Sequence, residues 1–473
     1  MSAAVLPTAC DVAVIGAGPA GLAAASVCAR AGLSTVLLDE NAGPGGQIYR
    51  SVAASPLRDR GVLGDDYWSG TALVEEMRTS GARHVAGATV WALSRDRQIS
   101  ASIAGRSAIM TARRVVLATG ALERPFPMPG WTLPGVMTVG AAQTALKSSG
   151  LVADGPVVIA GCGPLLWLLA AQYLKAGKVV DAILDTTPRR NWRAALPHLP
   201  GFLASPYLAK GLRLVRQVRA RIRIVSGVTA LCAEGERRLA AVSWRTGSAR
   251  EERLPVETLL LHQGVVPNVN MAMSIGIEHR WDDAQACFSP VLGPDGATAL
   301  PGIAMAGDGT GIGGAAAAEA QGRLAALAAV RDLAPNRPGL EAQQTHARRR
   351  LATALRGRAF LDALYRAPDA FRRPEGETIV CRCEEITARQ VTDAVALGCV
   401  GPNQAKFFLR AGMGPCQGRL CGLTVSELIA HARRVSPAAT GYYRLRPPVK
   451  PITLAELASL PHTAAALEAV ERD

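Results

Sequence analysis

The sequence predicts an α/β protein made of two nested Rossmann-like folds, followed by a small helical domain that carries four cysteines. Residues 11–39 and residues 157–185 each read as strand, glycine turn, helix, strand and acid, and residues 381–422 hold two close cysteine pairs. The order of these motifs predicts six segments: the first fold in two parts at 1–150 and 291–335, an inserted fold at 151–290, a helical linker at 336–375, the cysteine domain at 376–436 and a C-terminal tail at 437–473.

Composition favours a well-buried enzyme scaffold, because 49% of the 473 residues are hydrophobic and only 19% are charged. The formal net charge is +14, but the basic residues are spread among helices without interleaved aromatic residues. This favours a solvated basic face over nucleic acid, with docking to an acidic partner or an anionic membrane surface as the other interpretation. The first motif begins at Gly16, which leaves no room for a cleaved leader. We therefore expect a cytoplasmic protein, with peripheral contact to the inner membrane face as a further expectation.

The first glycine turn has the pattern GxGxxG and lies between a predicted strand at 11–15 and a helix that runs to about Arg30. The first glycine makes the tight turn, the second lets the backbone approach a pyrophosphate, and the third lets helix and strand pack closely. The helix N-terminus then faces the phosphates, and an acid after the second strand binds a ribose. The predicted dinucleotide-binding residues are Gly16, Gly18, Pro19, Ala20, Gly21, Asp39 and Glu40.

The second glycine turn repeats the pattern with Gly161, Gly163 and Asp185, but bulky Leu166 replaces the third glycine. Leu166 is expected to push the helix away from the strand and to narrow the pocket. A working adenine-nucleotide site and a structural relic therefore stay open as interpretations. The glycines and the proline inside 157–174 favour strand, turn and helix over a membrane span.

The sequence contains no CxxC, which excludes the active dithiol of a disulfide reductase. Cys162 stands alone in the second glycine turn, and His262 is interpreted as a loop or hinge residue rather than a catalytic base. Four further cysteines are predicted to be small buried residues: Cys10, Cys28, Cys232 and Cys287.

The cysteine domain supplies four soft ligands in two pairs: Cys381, Cys383, Cys416 and Cys421. Such a set suits an iron–sulfur cluster or zinc, and the CxC spacing, unusual for structural zinc, favours [2Fe–2S]. Thr387 and Gln390 form a capping box that predicts a helix start, and Gly398 fits its end. Cys399 lies outside both pairs and is expected to be buried. Four basic residues are close enough in sequence to offset the charge of a cluster: Arg382, Lys406, Arg410 and Arg419.

Three segments resemble flavin-binding parts of two-dinucleotide-binding-domain flavoproteins: NAGPGGQIYR at 41–50, ATG at 118–120 and LPGIAMAGDG at 300–309. The resemblance implies that Gly46 and Gln47 approach the isoalloxazine, and that Thr119 and Gly120 form a crossover. It also implies that Gly307 and Asp308 lie at the ribitol, with a helix starting near residue 313. FAD is therefore the expected cofactor, and the inserted fold is the NAD(P)-type domain.

Nearly the whole chain resembles the larger FAD subunit of opine oxidases and of D-hydroxyproline or proline dehydrogenase complexes, through DENAGPGGQIYR, LATGALERPFPMPGW and LLHQGVVPN. It is similar to the FAD subunit of hydrogen cyanide synthase and, more distantly, to the α subunit of heterotetrameric sarcosine oxidase. The cysteine segment is similar to the bacterioferritin-associated-ferredoxin-like [2Fe–2S] domain.

This resemblance implies an FAD- and [2Fe–2S]-containing electron-transfer subunit of an amine or amino-acid dehydrogenase complex. The expected substrates are an opine, hydroxyproline, proline or a glycine-type amino acid. The expected partners are a small ferredoxin-like subunit and a smaller D-amino-acid-oxidase-like flavoprotein subunit, with FMN at a subunit interface as a further expectation. Two alternatives stay open: a stand-alone NAD(P)H-dependent FAD reductase, and a zinc-binding docking scaffold. Because no paired carboxylates or nucleophile–base arrangement is evident, no catalytic residue is assigned.

Overall fold

The computed structural model describes residues 6–461, so the last part of the predicted tail, 462–473, lies outside the described residues. The strands, in chain order, are β1 Ala9–Ile15, β2 Thr35–Asp39, β3 Arg83–Ala86, β4 Thr89–Leu93, β5 Gln98–Ile103, β6 Arg106–Leu117, β7 Ala121–Glu123, β8 Val136–Thr138, β9 Val157–Cys162, β10 Ala182–Asp185, β11 Arg223–Ser226, β12 Val228–Glu234, β13 Ala241–Thr246, β14 Glu252–Pro255, β15 Thr258–Gln263, β16 Val265–Pro267, β17 His279–Asp282, β18 Cys287–Pro290, β19 Ile303–Met305, β20 Ile379–Cys381 and β21 Ile386–Thr387.

The helices lie mainly between the strands of the two folds and after β19. They are α1 Pro19–Arg30, α2 Asp65–Trp68, α3 Gly70–Arg78, α4 Val139–Ser149, α5 Pro164–Lys175, α6 Arg189–Ala195, α7 Leu199–Leu203, α8 Tyr207–Arg219, α9 Asn270–Ser274, α10 Ala315–Leu333, α11 Leu340–Leu355, α12 Arg358–Leu364, α13 Asp369–Arg372, α14 Ala388–Ala396, α15 Pro402–Leu409, α16 Gly422–Ala432, α17 Pro437–Thr440 and α18 Leu454–Ala458. Within residues 6–461, none of them combines the length and the apolar character that a membrane crossing requires.

The first sheet has seven strands in the order β3-β2-β1-β6-β5-β4, and β19 also pairs with β6. The strands β3, β2, β1, β6 and β19 are parallel, with Ile15 opposite Leu38 on one side and Leu117 on the other. Because β19 comes from near residue 303 and pairs with β6, the first fold is completed by a segment that follows the inserted one. The α/β class with one fold nested in another is confirmed.

The second sheet is fully parallel and has the order β11-β10-β9-β15-β8. Its central strands β9 and β15 are buried and apolar, as expected when helices and loops cover both faces of a parallel sheet. The predicted strand, turn and helix of 157–174 are present as β9 and α5. A three-stranded antiparallel sheet, β12-β13-β14, packs beside it, and the pair β7-β16 lies where the chain crosses between the two folds.

The cysteine domain combines the short β20–β21 hairpin with helices α14, α15 and α16 around a small core. Helix α14 begins with the predicted capping box, because Thr387 and Gln390 exchange side-chain and backbone hydrogen bonds. Helix α14 ends at Ala396, and Gly398 follows with φ +100°. The core of this domain includes Cys399, which is 1% exposed.

Candidate functional site

The first glycine turn joins β1 to α1, and close backbone contacts require glycine at two of its positions. Gly16 has φ +105°, and a Cβ atom there would lie 2.3 Å from the carbonyl oxygen of Ala118. A Cβ atom on Gly21 would lie 1.8 Å from the carbonyl oxygen of Gly16. Only glycine therefore lets α1 pack this tightly on the turn. Gly18 precedes α1 and Pro19 lies in its first turn, so the unpaired N–H groups of the helix N-terminus lie beside the turn.

Two other predicted segments lie against this turn. Gly46 has φ +60°, and a Cβ atom there would lie 2.7 Å from the Cα atom of Gly18. Gly307 faces α1, because a Cβ atom on it would lie 2.9 Å from the Cβ atom of Ala20. The structure therefore brings together segments that lie far apart in the sequence, around the N-terminus of one helix.

A cleft opens beside the first glycine turn. Its lining includes the predicted residues Gly16, Asp39, Glu40 and Thr119, and it also includes Arg419 from the cysteine domain. Gly120 follows at the crossover, where its carbonyl oxygen accepts the Asn268 N–H at 3.0 Å.

The two predicted acids differ in their contacts. Asp39 Oδ2 accepts the Ala17 N–H at 2.6 Å, and Asp39 Oδ1 accepts the backbone and side-chain N–H groups of Asn41 at 2.8 and 2.7 Å. Glu40 Oε2 instead accepts the Lys450 ammonium of the C-terminal tail at 2.6 Å. Asp39 therefore ties the glycine turn to the loop that follows β2, whereas Glu40 ties the tail to the edge of the cleft.

Asp308 lies immediately before α10, near the start that the sequence predicts at residue 313. Its Oδ1 atom accepts the N–H groups of Gly313 and Gly314, both at 2.9 Å. A carboxylate at this position is stabilised by the N-terminal end of the helix dipole. Asp308 therefore fixes the loop between β19 and α10.

Gln47 belongs to a network that includes a buried lysine. Its Oε1 atom accepts from Arg50 Nη2 at 3.0 Å, and its carbonyl oxygen accepts from Lys147 Nζ at 3.2 Å. Lys147 also donates to the carbonyl oxygen of Ile48 at 3.0 Å and to Gln143 Oε1 at 2.8 Å. Burial, with the Arg50 charge as a second cause, lowers the pKa of Lys147 to about 7.

The four predicted cysteine ligands form a continuous set of neighbouring thiols. Cys421 contacts both Cys381 and Cys416, and Cys416 also contacts Cys383. The Cys421 contact lowers the pKa of Cys381 to about 6 and that of Cys416 to about 5, while these contacts raise the pKa of Cys421 well above its usual value. The Cys421 thiol therefore stays protonated and donates to its neighbours, which favours the thiolate form of Cys381 and Cys416.

Backbone N–H groups also point at the sulfurs. Gly412 and Glu384 donate to Cys381, and Gly418 and Leu420 donate to Cys416. Within residues 6–461, no three His, Cys, Asp or Glu side chains are arranged to hold a single metal ion. A two-iron cluster instead needs two pairs of thiolates, each on its own iron, and hydrogen bonds to sulfur stabilise its charge.

Three of the four basic residues predicted near the cysteines are engaged with neighbouring side chains. Arg382 lies 5.2 Å from the centroid of the Trp131 ring, and Lys406 lies 4.8 Å from that of Tyr443. Arg410 donates to Glu384 at 3.0 Å. The role of Arg419 is different, because its side chain reaches the cleft.

The loop between Cys416 and Cys421 lies directly on the cleft. Asn270, which lines the cleft, donates from Nδ2 to the carbonyl oxygen of Gln417 at 2.9 Å. Arg419 lines the same cleft and donates from Nη1 to the carbonyl oxygen of Val449 at 2.7 Å. The glycine-turn cleft and the cysteine set are thus two parts of one contiguous region.

Comparison with known proteins places the chain in a family. Residues 10–322 match the family model described as pyridine nucleotide-disulphide oxidoreductase, and residues 379–431 match the BFD-like [2Fe-2S] binding domain. The chain is 50% identical to the A subunit of opine oxidase from Agrobacterium tumefaciens strain Ach5, across 97% of this chain and 93% of that protein. The chain belongs to the opine oxidase A-subunit family.

This member of the opine oxidase A-subunit family is also 30% identical to the HcnB subunit of hydrogen cyanide synthase from Pseudomonas protegens, across 93% of this chain and 95% of that protein. Its fold is similar to that of L-proline dehydrogenase from P. horikoshii, with a TM-score of 0.69 and 18% identity over 95% of this chain and 79% of the other. The predicted family resemblance is therefore confirmed, and the chain is an oxidoreductase subunit.

The two family models imply FAD and a [2Fe–2S] cluster, and the residues present fit both groups. The glycines of the first turn leave room for a pyrophosphate beside a helix N-terminus, and the open cleft continues along the two acids. The BFD-like domain contains all four clustered cysteines. This opine oxidase homologue is therefore an FAD- and [2Fe–2S]-type flavoprotein.

The second glycine turn has a different environment. Gly161 and Gly163 have φ values of +137° and +127°, and Gly163 precedes α5. Leu166 is 1% exposed and lies in the core. Asp185 ends β10, and burial raises the pKa of its carboxyl group. The predicted residues lie at the carboxyl edge of the second sheet, as in a nucleotide-binding fold.

Two minor predictions are wrong. His262 is not a loop or hinge residue but a strand residue of β15 that is 1% exposed, and its Nδ1 atom lies 2.5 Å from Glu123 Oε1. All residues of β15 from 259 to 263 are buried, so no alternation in the sequence marks His262 as a strand residue. Cys232 is partly exposed rather than buried, because it lies in β12 of the small antiparallel sheet.

Sequence reasoning missed several residues that form the cleft. Asn268, Asn270 and Lys450 line it, and Lys147 lies behind the turn that carries Gln47. Asn268 is the last residue of the segment LLHQGVVPN and Asn270 lies two residues beyond it, so the family motif was a usable signal for the asparagines. No local pattern indicates Lys450, because its partner Glu40 is 410 positions away.

Proposed function

We propose that the chain is the electron-transfer subunit of a multi-subunit amine dehydrogenase, and that it relays electrons from a partner flavoprotein subunit to an acceptor. The substrate class is a secondary amine or amino acid of the opine, hydroxyproline, proline or glycine type. The full-length relatives, which are named as subunits of opine oxidase and hydrogen cyanide synthase, support this assignment. The partner is a smaller flavoprotein like a D-amino-acid oxidase, with a small ferredoxin-like subunit as a third component.

The observation that carries the proposal is the position of the cysteine loop on the cleft. Asn270 and Arg419 both line the cleft. Asn270 donates to Gln417, which lies between Cys416 and Cys421, and Arg419 of the same loop donates to Val449 of the C-terminal tail. FAD exchanges two electrons and a [2Fe–2S] cluster exchanges one, so a chain that holds both can divide an electron pair into single steps. The position of the cysteine loop beside the cleft supports such a relay.

The polar side chains that line the cleft form hydrogen bonds and ion pairs with other parts of the chain. Asp39 holds the glycine-turn loop, Glu40 is paired with Lys450, and Arg419 holds the tail at Val449. These residues bind and orient rather than move protons on a substrate. The proposal therefore assigns the breaking of the substrate C–H bond to the partner subunit.

The first test is the content of iron, acid-labile sulfide, zinc and flavin in anaerobically purified protein. We expect about two irons and two sulfides per chain. Cys383→Ala should lose the iron, whereas Cys399→Ala, a cysteine of the same domain that is buried outside the set, should retain it. One zinc without sulfide would overturn the relay and favour a docking scaffold.

The second test concerns the partner and the flavins. The chain should be inactive towards amines alone and should become reduced by an opine or imino acid only when co-purified with the smaller flavoprotein subunit. Acid extraction of the complex should release FAD from this chain, and FMN in addition if a second flavin lies at the subunit interface. Amine-dependent reduction of the isolated chain would contradict the proposed division of labour.

A further inference from the structure

The pyridine nucleotide named by the family model would bind in the inserted fold. In Rossmann-like folds, a dinucleotide lies across the carboxyl edge of the parallel strands, between the glycine turn and the acid after the second strand. Here this crevice lies between Gly161–Gly163, the N-terminus of α5 and Asp185 at the end of β10. Residues 358–372, which we call the strap, connect the first fold to the cysteine domain, and their middle part around Tyr365 contacts the residues that border this crevice.

The backbone of the strap is bonded to both sides of the crevice. On one side, Asn191 Nδ2 donates to the carbonyl oxygens of Leu364 and Arg366 at 3.0 and 2.9 Å. On the other, Cys162 of the glycine turn has its Sγ atom 3.6 Å from the carbonyl oxygen of Tyr365. Asn191 and Cys162, which border the crevice, are therefore already paired with the backbone of the strap.

The side chain of Tyr365 lies between the first turns of α5 and the acid. Burial raises the pKa of its phenol, and the nearby Asp185 carboxylate and Cys162 thiol raise it further, while a hydrogen bond with Trp167 opposes the rise. Asp185 in turn accepts the Thr187 N–H at 2.9 Å through Oδ1. The acid that would bind a ribose thus faces a tyrosine and its own loop.

Apolar contacts fix the strap along its length. Phe360 stacks on Phe202 with ring centroids 4.2 Å apart, and Phe371 packs edge-on against Phe126 at 5.2 Å. Phe360, Leu364 and Phe371 are each 5% exposed or less. Displacing the strap would expose these large side chains to water, so a ligand would have to compete with core packing.

The glycine turn itself is also obstructed. Leu166 replaces the glycine that would bring α5 onto the turn, and its side chain is buried in the core. The imidazole of His262 lies against Gly163, because a Cβ atom on Gly163 would lie 2.9 Å from His262 Nε2. The second turn therefore faces protein where the first turn faces an open cleft.

We propose that the strap takes the place of a pyridine nucleotide in the inserted fold. The inserted fold then acts as an anchor for the cysteine domain. The strap ends at Arg372, which is 6% exposed and forms an ion pair with Glu427 of α16, a residue that is 3% exposed. One continuous segment thus fills the crevice and holds the domain that carries the cysteine set.

The test begins with the wild-type holoprotein and uses NADH, NADPH and ATP as probes. Equilibrium binding should show no saturable site up to millimolar ligand, and anaerobic NADH should leave the flavin oxidised. Hydrogen exchange of residues 358–372 should be the same with and without NADH. Saturable binding with protection of the strap or of the second glycine turn would overturn the proposal.

A matched pair of variants tests the strap directly. Tyr365→Ala should open the crevice and tighten binding of ATP or NADH by about tenfold or more, whereas Tyr365→Phe, which keeps the ring, should behave as wild type. A folded Tyr365→Ala protein, with normal circular dichroism and flavin content, that gains no affinity would contradict the role of the tyrosine. If this variant fails to fold, the wild-type binding and exchange data decide the matter. None of these readouts depends on the amine-oxidising partner or on the metal content, so they fail independently of the proposed function.

Discussion

Replacing Lys147 by methionine is expected to remove a pH dependence from the stability of the flavin-binding fold. Lys147 is 4% exposed, and its three hydrogen-bond acceptors are two backbone carbonyls and the Gln143 amide. Within residues 6–461, Arg50 is the one charged group whose charge shifts the pKa of Lys147, which it lowers, and the Tyr67 ring lies 5.8 Å away. Because no anion among these residues compensates the ammonium, its burial is costly.

The size and sign of the expected change in the free energy of unfolding follow from the pKa of Lys147 in the folded and the unfolded chain. The unfolded chain holds the Lys147 proton up to about pH 10.5, whereas the folded chain releases it near pH 7. Between these values the unfolded state binds more protons, so the free energy of unfolding rises with pH, by up to about 1.4 kcal/mol per pH unit. Below about pH 7 the folded chain buries a charged ammonium. The free energy of unfolding is then about 5 kcal/mol lower than at a pH above 10.5, where both states have lost the proton.

The assay is urea unfolding followed by the fluorescence of released flavin, at a series of pH values. From about pH 7 to about pH 9, wild type should gain about 2 kcal/mol relative to Lys147→Met, which corresponds to roughly 1 M in the urea midpoint. Lys175→Met is the matched control, because Lys175 is exposed and also donates to a backbone carbonyl. Parallel pH curves for wild type and Lys147→Met, or a relative loss of wild-type stability as the pH rises, would refute the reasoning.

Two further substitutions test the packing around the two cofactor regions. Gly21→Ala places a Cβ atom 1.8 Å from a backbone oxygen, so we expect the purified protein to lack FAD, as measured by its visible spectrum. Gly43→Ala is the control and should retain FAD, because a Cβ atom there meets no atom within 4 Å. Glu427→Gln removes the buried carboxylate that faces both Arg372 and Arg124, while Arg372 keeps Asp369 as a partner. Calorimetry should show a loss of about 3–5 kcal/mol in the stability of the cysteine domain. The exposed Glu377→Gln should change it by less than about 1 kcal/mol, and equal effects of the two changes would contradict the buried ion pair.

Local sequence patterns predicted the elements whose conformation is decided by neighbours in the chain. The predicted strand at 11–15 is β1, and the helix that ends near Arg30 is α1. The capping box of α14 is formed by residues three positions apart. In each case the turn chemistry and the periodicity act over a few residues, which is the range that a pattern can read.

Contacts between distant segments could not be predicted in this way. Lys147 looks like an ordinary cation in the last turn of α4, where a basic residue favours the helix dipole. Only the tertiary fold places it under the carbonyl oxygens of residues 47 and 48. Arg419 was predicted from proximity in sequence to offset cluster charge, and the cleft contact that the structure shows depends on how the cysteine domain docks. The domain limits themselves stay predictions.

The two glycine turns of the chain show how one motif can have two uses. In the first, Gly21 brings α1 onto the turn, and the space beside it is an open cleft. In the second, Leu166 fills the equivalent place in the core, and Tyr365 lies between α5 and the acid. The GxG turn and the acid persist in both, because a parallel sheet needs a tight strand-to-helix turn whether or not a ligand is bound. The third glycine of the motif lets the helix pack closely on the turn. Its replacement by Leu166 was the sequence signal that the second crevice differs from the first.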